Sequence, residues 1–287
     1  MEIGFVASGN VGEALRRAAR LGFDGIELNF IWGQQSDLET WTDDDTKRAC
    51  EAMAETGARI LAVTTGWANH LSPDKAARER AMANMRRAIT LAPQLGTSIV
   101  TCNAFGDLET PPGGQVQAFA QVFGEYACWC EDAGVRIGIE NCPHVHTAHG
   151  IQIGNIAYSP DLFAQLFAAV PSLAIGMEYD PSHYYWLGVD YVGVIRQFAD
   201  RMVFAHAKDT EILSDRLALV GIYGDGWWRY RVPGMGQVDW EGITRALAEI
   251  GYHSGMVIEH EDPVFEGQRF DEGLSLGLRF LRQALRQ

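Results

Sequence analysis

The chain has 287 residues, 47% of them hydrophobic and 21% charged, which supplies a sizeable core and argues against global disorder. A formal net charge of -14, with no long Lys/Arg cluster to offset it, disfavours a nucleic-acid partner. The opening MEIGFVASGN has an acidic residue at position 2 and no basic stretch before a long apolar one, so neither secretion nor membrane insertion is expected and a cytoplasmic location follows.

Short β-like runs alternate with longer segments of helical period along the whole chain. The runs fall at 2–7, 25–30, 59–64, 98–103, 135–140, 173–179, 202–207 and 255–260. Helical candidates follow them at 10–21, 43–56, 73–94, 113–133, 160–170, 189–199, 239–250 and 268–286. Strict alternation of this kind specifies a parallel sheet, and eight units close it into a (β/α)8 barrel, an α/β fold that commonly reaches this length as a single domain, here 1–287. Ser72-Pro73 is expected to open the third helix with proline at its first position. Gly22, Gly57, Gly96, Gly134 and Gly251 each fall between a helix and the next strand, where a left-handed residue ends the helix. Five cysteines without CxxC spacing read as reduced, buried small hydrophobes. Cys128 and Cys130, two apart on one helix, point in different directions and do not share a metal.

Four ionisable residues close four of the apolar runs: Glu140 in GIGIE, Asp180 in IGMEYD, His206 in MVFAHA and Glu259 in GMVIE. Taken singly, an acid at a strand end is often a helix cap and a histidine there is often structural. On four strands of one closed barrel, however, the four converge on one rim, where carboxylates crowd unless a cation is present. Three carboxylates and an imidazole form an oxygen-rich set that favours Mn²⁺, Mg²⁺ or Co²⁺, with Zn²⁺ also compatible.

Successive members of this set are 40, 26 and 53 residues apart, against roughly 30 per strand-helix unit in a typical barrel of this kind. The excess lies in 141–158 and 207–238, so the loops after the fifth and seventh strands are extended on the face where such barrels carry their chemistry. The second loop contains GDGWWRYRVPGMGQVDW. Trp227 and Trp228, with Tyr230, offer flat faces for a sugar ring or an aromatic aglycone, and Arg229 and Arg231 offer fixed donors for its oxygens; the alternative is a lid packing on its neighbours. Asp239 is placed to cap the following helix. Glu27, at the end of the second strand, and His70, after the third, are further candidates for substrate contact or for support of the site. His144, His146 and His149 in CPHVHTAHG suit either a second metal site or a lid edge. Lys208 and Asp209 follow His206 closely enough to position it or to contact substrate. No glycine-rich cradle with a following basic residue appears, so a phosphorylated substrate is not indicated.

GIEN at 138–141, YDPSH at 179–183, HAKD at 206–209, PGMGQVDW at 233–240 and IEHEDP at 258–263 resemble the signatures of the xylose isomerase-like TIM-barrel superfamily, the sugar phosphate isomerase/epimerase group. The resemblance spans nearly the whole chain. It implies a metal held by Glu140, Asp180, His206 and Glu259, with Glu140 and Glu259 also serving as acid and base, and His183 contacting substrate oxygens. Metal-dependent abstraction of a proton next to the carbonyl of a sugar or keto-sugar, giving isomerisation or epimerisation, is the leading expectation; Mn²⁺ is the leading cofactor. The alternatives are a lyase that cleaves 3-keto-glycosides by β-elimination and a non-catalytic sugar-binding barrel. The three-metal DNA-repair relatives are excluded because the fourth strand ends Thr101-Cys102-Asn103 without a histidine. A small-molecule sugar or glycoside is thus the expected partner, and the aromatic content of the loops suits a homo-oligomer.

Overall fold

The structure, a computed structural model, describes residues 1–147 and 150–286, with side chains outside 144–153. Eight parallel strands close into a barrel. They are β1 (Ile3–Ala7), β2 (Gly25–Asn29), β3 (Arg59–Thr64), β4 (Ile99–Cys102), β5 (Arg136–Glu140), β8 (Ile175–Tyr179), β9 (Met202–Ala207) and β12 (Met256–Ile258), and β1 pairs with both β2 and β12. Helices follow the strands: α1 (Val11–Leu21), α2 (Asp43–Thr56), α3 (Lys75–Gln94), α4 (Val116–Ala133), α5 (Pro160–Ala169), α6 (Pro181–Leu187), α7 (Tyr191–Gln197), α9 (Trp240–Glu249) and α10 (Phe270–Ala284). The extra length after β5 forms an antiparallel hairpin of β6 (His144–Thr147) and β7 (Gly150–Ile153). After β9 it forms a second ribbon, β10 (Asp209–Ile212) and β11 (Trp228–Arg231), with α8 (Ser214–Val220) at its tip. The side chains of His144, His146 and His149 lie outside the described residues.

Local chemistry sets the helix boundaries. Asn10 caps α1 by accepting from the Glu13 amide, and Thr42 and Asp45 cap α2 reciprocally. Gly22, Gly57, Gly96, Gly134 and Gly251 all have positive φ, between 66° and 84°, as their places after helices require. The third helix departs from expectation. Asp74, not Ser72, is its cap, because the Asp74 carboxylate accepts from the Ala77 amide, and Pro73 lies before the helix rather than at its first position. Strand closure at the amino end of the barrel depends on glycine. A β-carbon at Gly25 would lie 2.2 Å from the Arg59 carbonyl oxygen, and one at Gly176 would lie 2.2 Å from that of Arg201.

Packing of the strands' outer faces against the helices builds the main core, which includes Leu15, Ile26, Met85, Phe119, Phe163, Ile195 and Leu247. Leu61, Ala62, Val203, Phe204 and Val257 form a separate small cluster from three barrel strands. All five cysteines are free thiols; Cys102, Cys130 and Cys142 are buried as expected, whereas Cys50 and Cys128 are exposed on their helices. Among the described residues no helix is long and apolar enough to cross a membrane.

Candidate active site

Glu140 is the last residue of β5, Asp180 directly follows β8, His206 is the penultimate residue of β9 and Glu259 directly follows β12. All four therefore stand at the carboxyl end of the barrel. His206 Nδ1 is 3.4 Å from Glu140 Oε1, 3.8 Å from Asp180 Oδ2 and 3.4 Å from Glu259 Oε2.

Each inner carboxylate divides its oxygens between scaffold and centre. Glu140 Oε2 accepts from Asn103 Nδ2 at 2.9 Å, and Asp180 Oδ1 accepts from the Ser182 amide at 2.8 Å as the cap of α6. The other oxygens, Glu140 Oε1 and Asp180 Oδ2, are buried without a hydrogen-bond donor, as is His206 Nδ1. Buried polar atoms without hydrogen bonds are costly; the Lys208 ammonium lies 3.3 Å from Asp180 Oδ2, but among the described residues no lysine or arginine pairs with Glu140 Oε1, and the three converging at one point fit a shared cation. The main chain here is pinned too. Asn141 exchanges two hydrogen bonds with the Asp180 backbone, and Asn155 Nδ2 donates to the Glu140 and Cys142 carbonyls.

His206 spans two layers. Its Nε2 is 2.9 Å from Glu27 Oε2 and 3.1 Å from Glu178 Oε1, so the proton belongs on Nε2 and the lone pair of Nδ1 faces the upper carboxylates. The lower layer is sealed: Glu27 is 1% and Glu178 is 2% exposed, and Thr101 Oγ1 donates to Glu27 Oε1 at 2.5 Å. Burial, followed by the charge of Glu27, pushes the Glu178 carboxyl well above its ordinary range, which limits the charge stored there. The upper layer opens to the mouth through Glu259, whose side chain is 26% exposed. Three clusters of the described residues stand at ligand spacing: Glu140, Cys142 and His183, and Glu140, Asp180, His183 and Glu259, at the mouth with His183 as their imidazole, and Glu27, Glu178 and His206 in the sealed layer below; His206 Nδ1 reaches the upper carboxylates from beneath at 3.4 to 3.8 Å.

Lys208 Nζ bridges the upper layer. It is hydrogen-bonded to Glu259, lies 3.1 Å from Glu261 and 3.3 Å from Asp180, and sits 4.3 Å from the centre of the Tyr230 ring. Burial opposes its charge, but Glu259, Glu261 and Asp180 outweigh burial and hold the ammonium charged. The same opposition governs Glu140: burial favours the acid, while His183 and His206 keep the carboxyl well below its usual range. His183 is buried, with Nδ1 2.8 Å from the Tyr230 hydroxyl and Nε2 3.4 Å from Glu140 and 3.3 Å from Asp180.

The structure therefore brings Glu140, Asp180, His183, His206 and Glu259 together, and it assigns several other residues differently from the sequence reading. Glu27 does not face the mouth; it lies behind His206 as the partner of Nε2. His70 is fully buried, bonded to the Tyr126 hydroxyl at 2.9 Å and packed against Phe123, away from any open surface. Arg229 and Arg231 are not free donors. Both pair with Glu211, at 2.8 and 2.5 Å, and Arg231 also pairs with Asp262 at 2.9 Å, which cross-links the β10–β11 ribbon. Trp227 is buried and Trp228 stacks on Trp186 of α6 at 4.7 Å, so packing of the loop against α6 takes up these rings. Asp239 caps α9. Asp209 is structural, accepting from the amides of Thr210, Gly234, Gly236 and Val238 and from Trp240 Nε1.

Sequence reasoning gave too little weight to Lys208, Glu178 and Glu261. A period of two would have marked them, since Lys208 follows His206 by two, Glu261 follows Glu259 by two and Glu178 precedes Asp180 by two. Asn103 and Tyr230 carried no such signal as supports for Glu140 and His183.

Comparison with known proteins agrees with this fold. The profile of the xylose isomerase-like TIM barrel matches residues 15–284, and the chain belongs to that family. Among solved structures, a D-psicose 3-epimerase determined in the presence of D-fructose superposes with a TM-score of 0.75 at 18% identity over 100% of both chains. A 3-keto-D-glucoside 4-epimerase from E. coli gives 0.71 at 15% identity over 99% of both, and the IolI protein with a bound zinc atom gives 0.76 at 17% identity over 99% of this chain and 98% of that one. An inosose dehydratase from Lacticaseibacillus casei is 23% identical over 149 residues, 50% of this chain and 47% of that protein. The chain spans less than half the length of the curated relatives it matches.

Proposed function

We propose that this protein is a divalent-metal-dependent isomerase or epimerase that removes a proton next to the carbonyl of a sugar or keto-sugar. One observation carries the reading: Glu140, Asp180 and Glu259 each turn a carboxylate oxygen within 4 Å of the same nitrogen, Nδ1 of His206, at the open end of the barrel. The bound zinc of one structural neighbour and the epimerase activities named for two others support it. Glu140, Asp180, His206 and Glu259 would hold the ion. Bound there, a divalent cation would polarise the substrate carbonyl and make the neighbouring C–H more acidic.

The chain's own residues supply the rest. Glu140 and Glu259 come from β5 and from the end of β12, so they approach a substrate from separate sides of the mouth and serve as the two proton carriers. Lys208 keeps Glu259 ionised and places a donor beside it. His183, oriented by Tyr230, presents Nε2 between Glu140 and Asp180 as a contact for a substrate oxygen. The oxygen-rich set favours Mn²⁺ over the softer ions.

The test is incubation of the purified protein with free ketoses and Mn²⁺ in D₂O, followed by NMR. Metal-dependent deuterium uptake at one carbon with appearance of the epimer or isomer is the expected outcome. Release of an aglycone from a 3-keto-glycoside with no epimer formed would replace this reading with elimination.

A further inference from the structure

We propose that the cleft beside the barrel mouth, formed by the loops after β2 and β3, binds the flat aromatic aglycone of a glycoside whose sugar occupies the candidate active site; this rests on the sugar-acting reading above. The cleft has a volume of about 420 Å³ and is lined by Phe30, Trp32, Leu38, Trp67, Asn69 and Arg80, among others. Both loops leave the carboxyl ends of their strands, on the rim that carries Glu140 and Asp180.

Two large aromatic rings are left open there. Trp32 is 75% and Trp67 59% exposed, in contrast to Trp227, which is buried, and Trp228, which stacks on Trp186. Neither exposed ring is loosely set. Trp67 lies parallel to Phe105, with ring centres 5.3 Å apart and planes 6° from parallel, and the Arg80 guanidinium sits 5.7 Å from the Trp32 ring. Phe105 is bridged to Asn155, whose side chain donates to the Glu140 carbonyl at 2.7 Å. Three contacts thus join the Trp67 platform to a residue of the centre.

The polar groups of the cleft argue for an aromatic ring over a second sugar. Arg80 is paired with Glu39 at 2.8 Å, Asp37 accepts from the Gly33 and Glu39 amides, and Asn69 Nδ2 donates to the Gly106 carbonyl. A hydroxyl-rich ring needs several hydrogen-bonding partners, and most are engaged, although Asn69 Oδ1 has none and Arg80 is paired through Nε; a flat apolar ring needs only the two indole faces, with one polar substituent to meet Asn69. The volume holds one or two fused rings.

Isothermal titration of the full chain with phenyl β-D-glucoside and methyl β-D-glucoside tests the proposal. The expected result is a phenyl-over-methyl advantage of about twofold to twelvefold, the range of one aromatic stacking contact. That advantage falls to near one in Trp32→Ala and Trp67→Ala and is partly kept in Trp67→Phe. An advantage that survives both alanine variants, no binding of either glucoside, an equal preference for cellobiose, or a change of oligomeric state in place of the affinity change overturns the proposal. The ratio is read without turnover and in EDTA-treated protein, so failure of the reaction assay in D₂O with a retained, Trp-dependent ratio would reject the proposed chemistry alone.

Discussion

Glu27 and His206 meet below the mouth of the barrel at 2.9 Å, Oε2 to Nε2, across 179 residues of sequence. That single contact decides which nitrogen of the imidazole faces the carboxylates. It also converts an acid that stands at a strand end, and so reads as a substrate contact, into the residue that aims this imidazole. Glu27→Gln keeps the shape and removes the charge that fixes the tautomer. Mn²⁺ affinity, measured by titration calorimetry, is expected to fall about 10–100-fold. An unchanged affinity would mean that Glu178 alone orients His206.

Tyr230→Phe keeps the ring beside Lys208 and removes the hydroxyl that holds His183 Nδ1 at 2.8 Å. If His183 contacts a substrate oxygen, kcat/KM falls about tenfold while Mn²⁺ affinity stays near that of the parent. A loss of metal affinity in this variant would place Tyr230 in support of the ion instead.

Asp209 accepts five hydrogen bonds, four from amides and one from Trp240, and so ties the 234–240 segment to the start of β10. Asp209→Ala strands several buried donors at once. Unfolding free energy is expected to drop by about 2–4 kcal/mol in urea titrations. A change below about 0.5 kcal/mol would show that the segment reorganises freely.

His70 supplies a pH dependence that is separate from the candidate centre. Burial lowers its pKa to about 4 from an ordinary 6.5, so the folded protein resists the proton that the unfolded chain accepts. The stability that depends on neutral His70 is complete above about pH 6.5 and is lost as the pH falls towards 4, amounting to about 3 kcal/mol in all. His70→Gln carries no titrating group. Its urea midpoint is expected to fall less steeply between pH 6.5 and 4 than that of the parent, and parallel curves would contradict the assignment.

The strand-end positions of Glu140, Asp180, His206 and Glu259 were legible because apolar runs of β-like length announce their own ends, and a closed parallel barrel gathers those ends on one rim. The joints were legible for the same local reason, since glycines such as Gly22 and Gly134 mark left-handed residues. What could not be read was partnership across distance. Arg231 looks like a free donor until the ribbon brings Glu211 and Asp262 against it, and Trp228 looks like a platform until Trp186 covers it. The same holds for Glu27 and His70, whose roles follow from strand register and helix packing rather than from neighbouring residues. Trp32 and Trp67, unremarkable in sequence, are the tryptophans that stay open among the described residues.

A divalent ion held by Glu140, Asp180, His206 and Glu259 is tested by the metal content and Mn²⁺ affinity of purified protein, parent against Asp180→Asn, by elemental analysis and titration calorimetry. One ion per chain in the parent, lost or weakened at least about a hundredfold in the variant, is the predicted result, since the substitution removes a charged ligand. A parent that binds no divalent ion, or a variant that binds it equally well, would contradict the account.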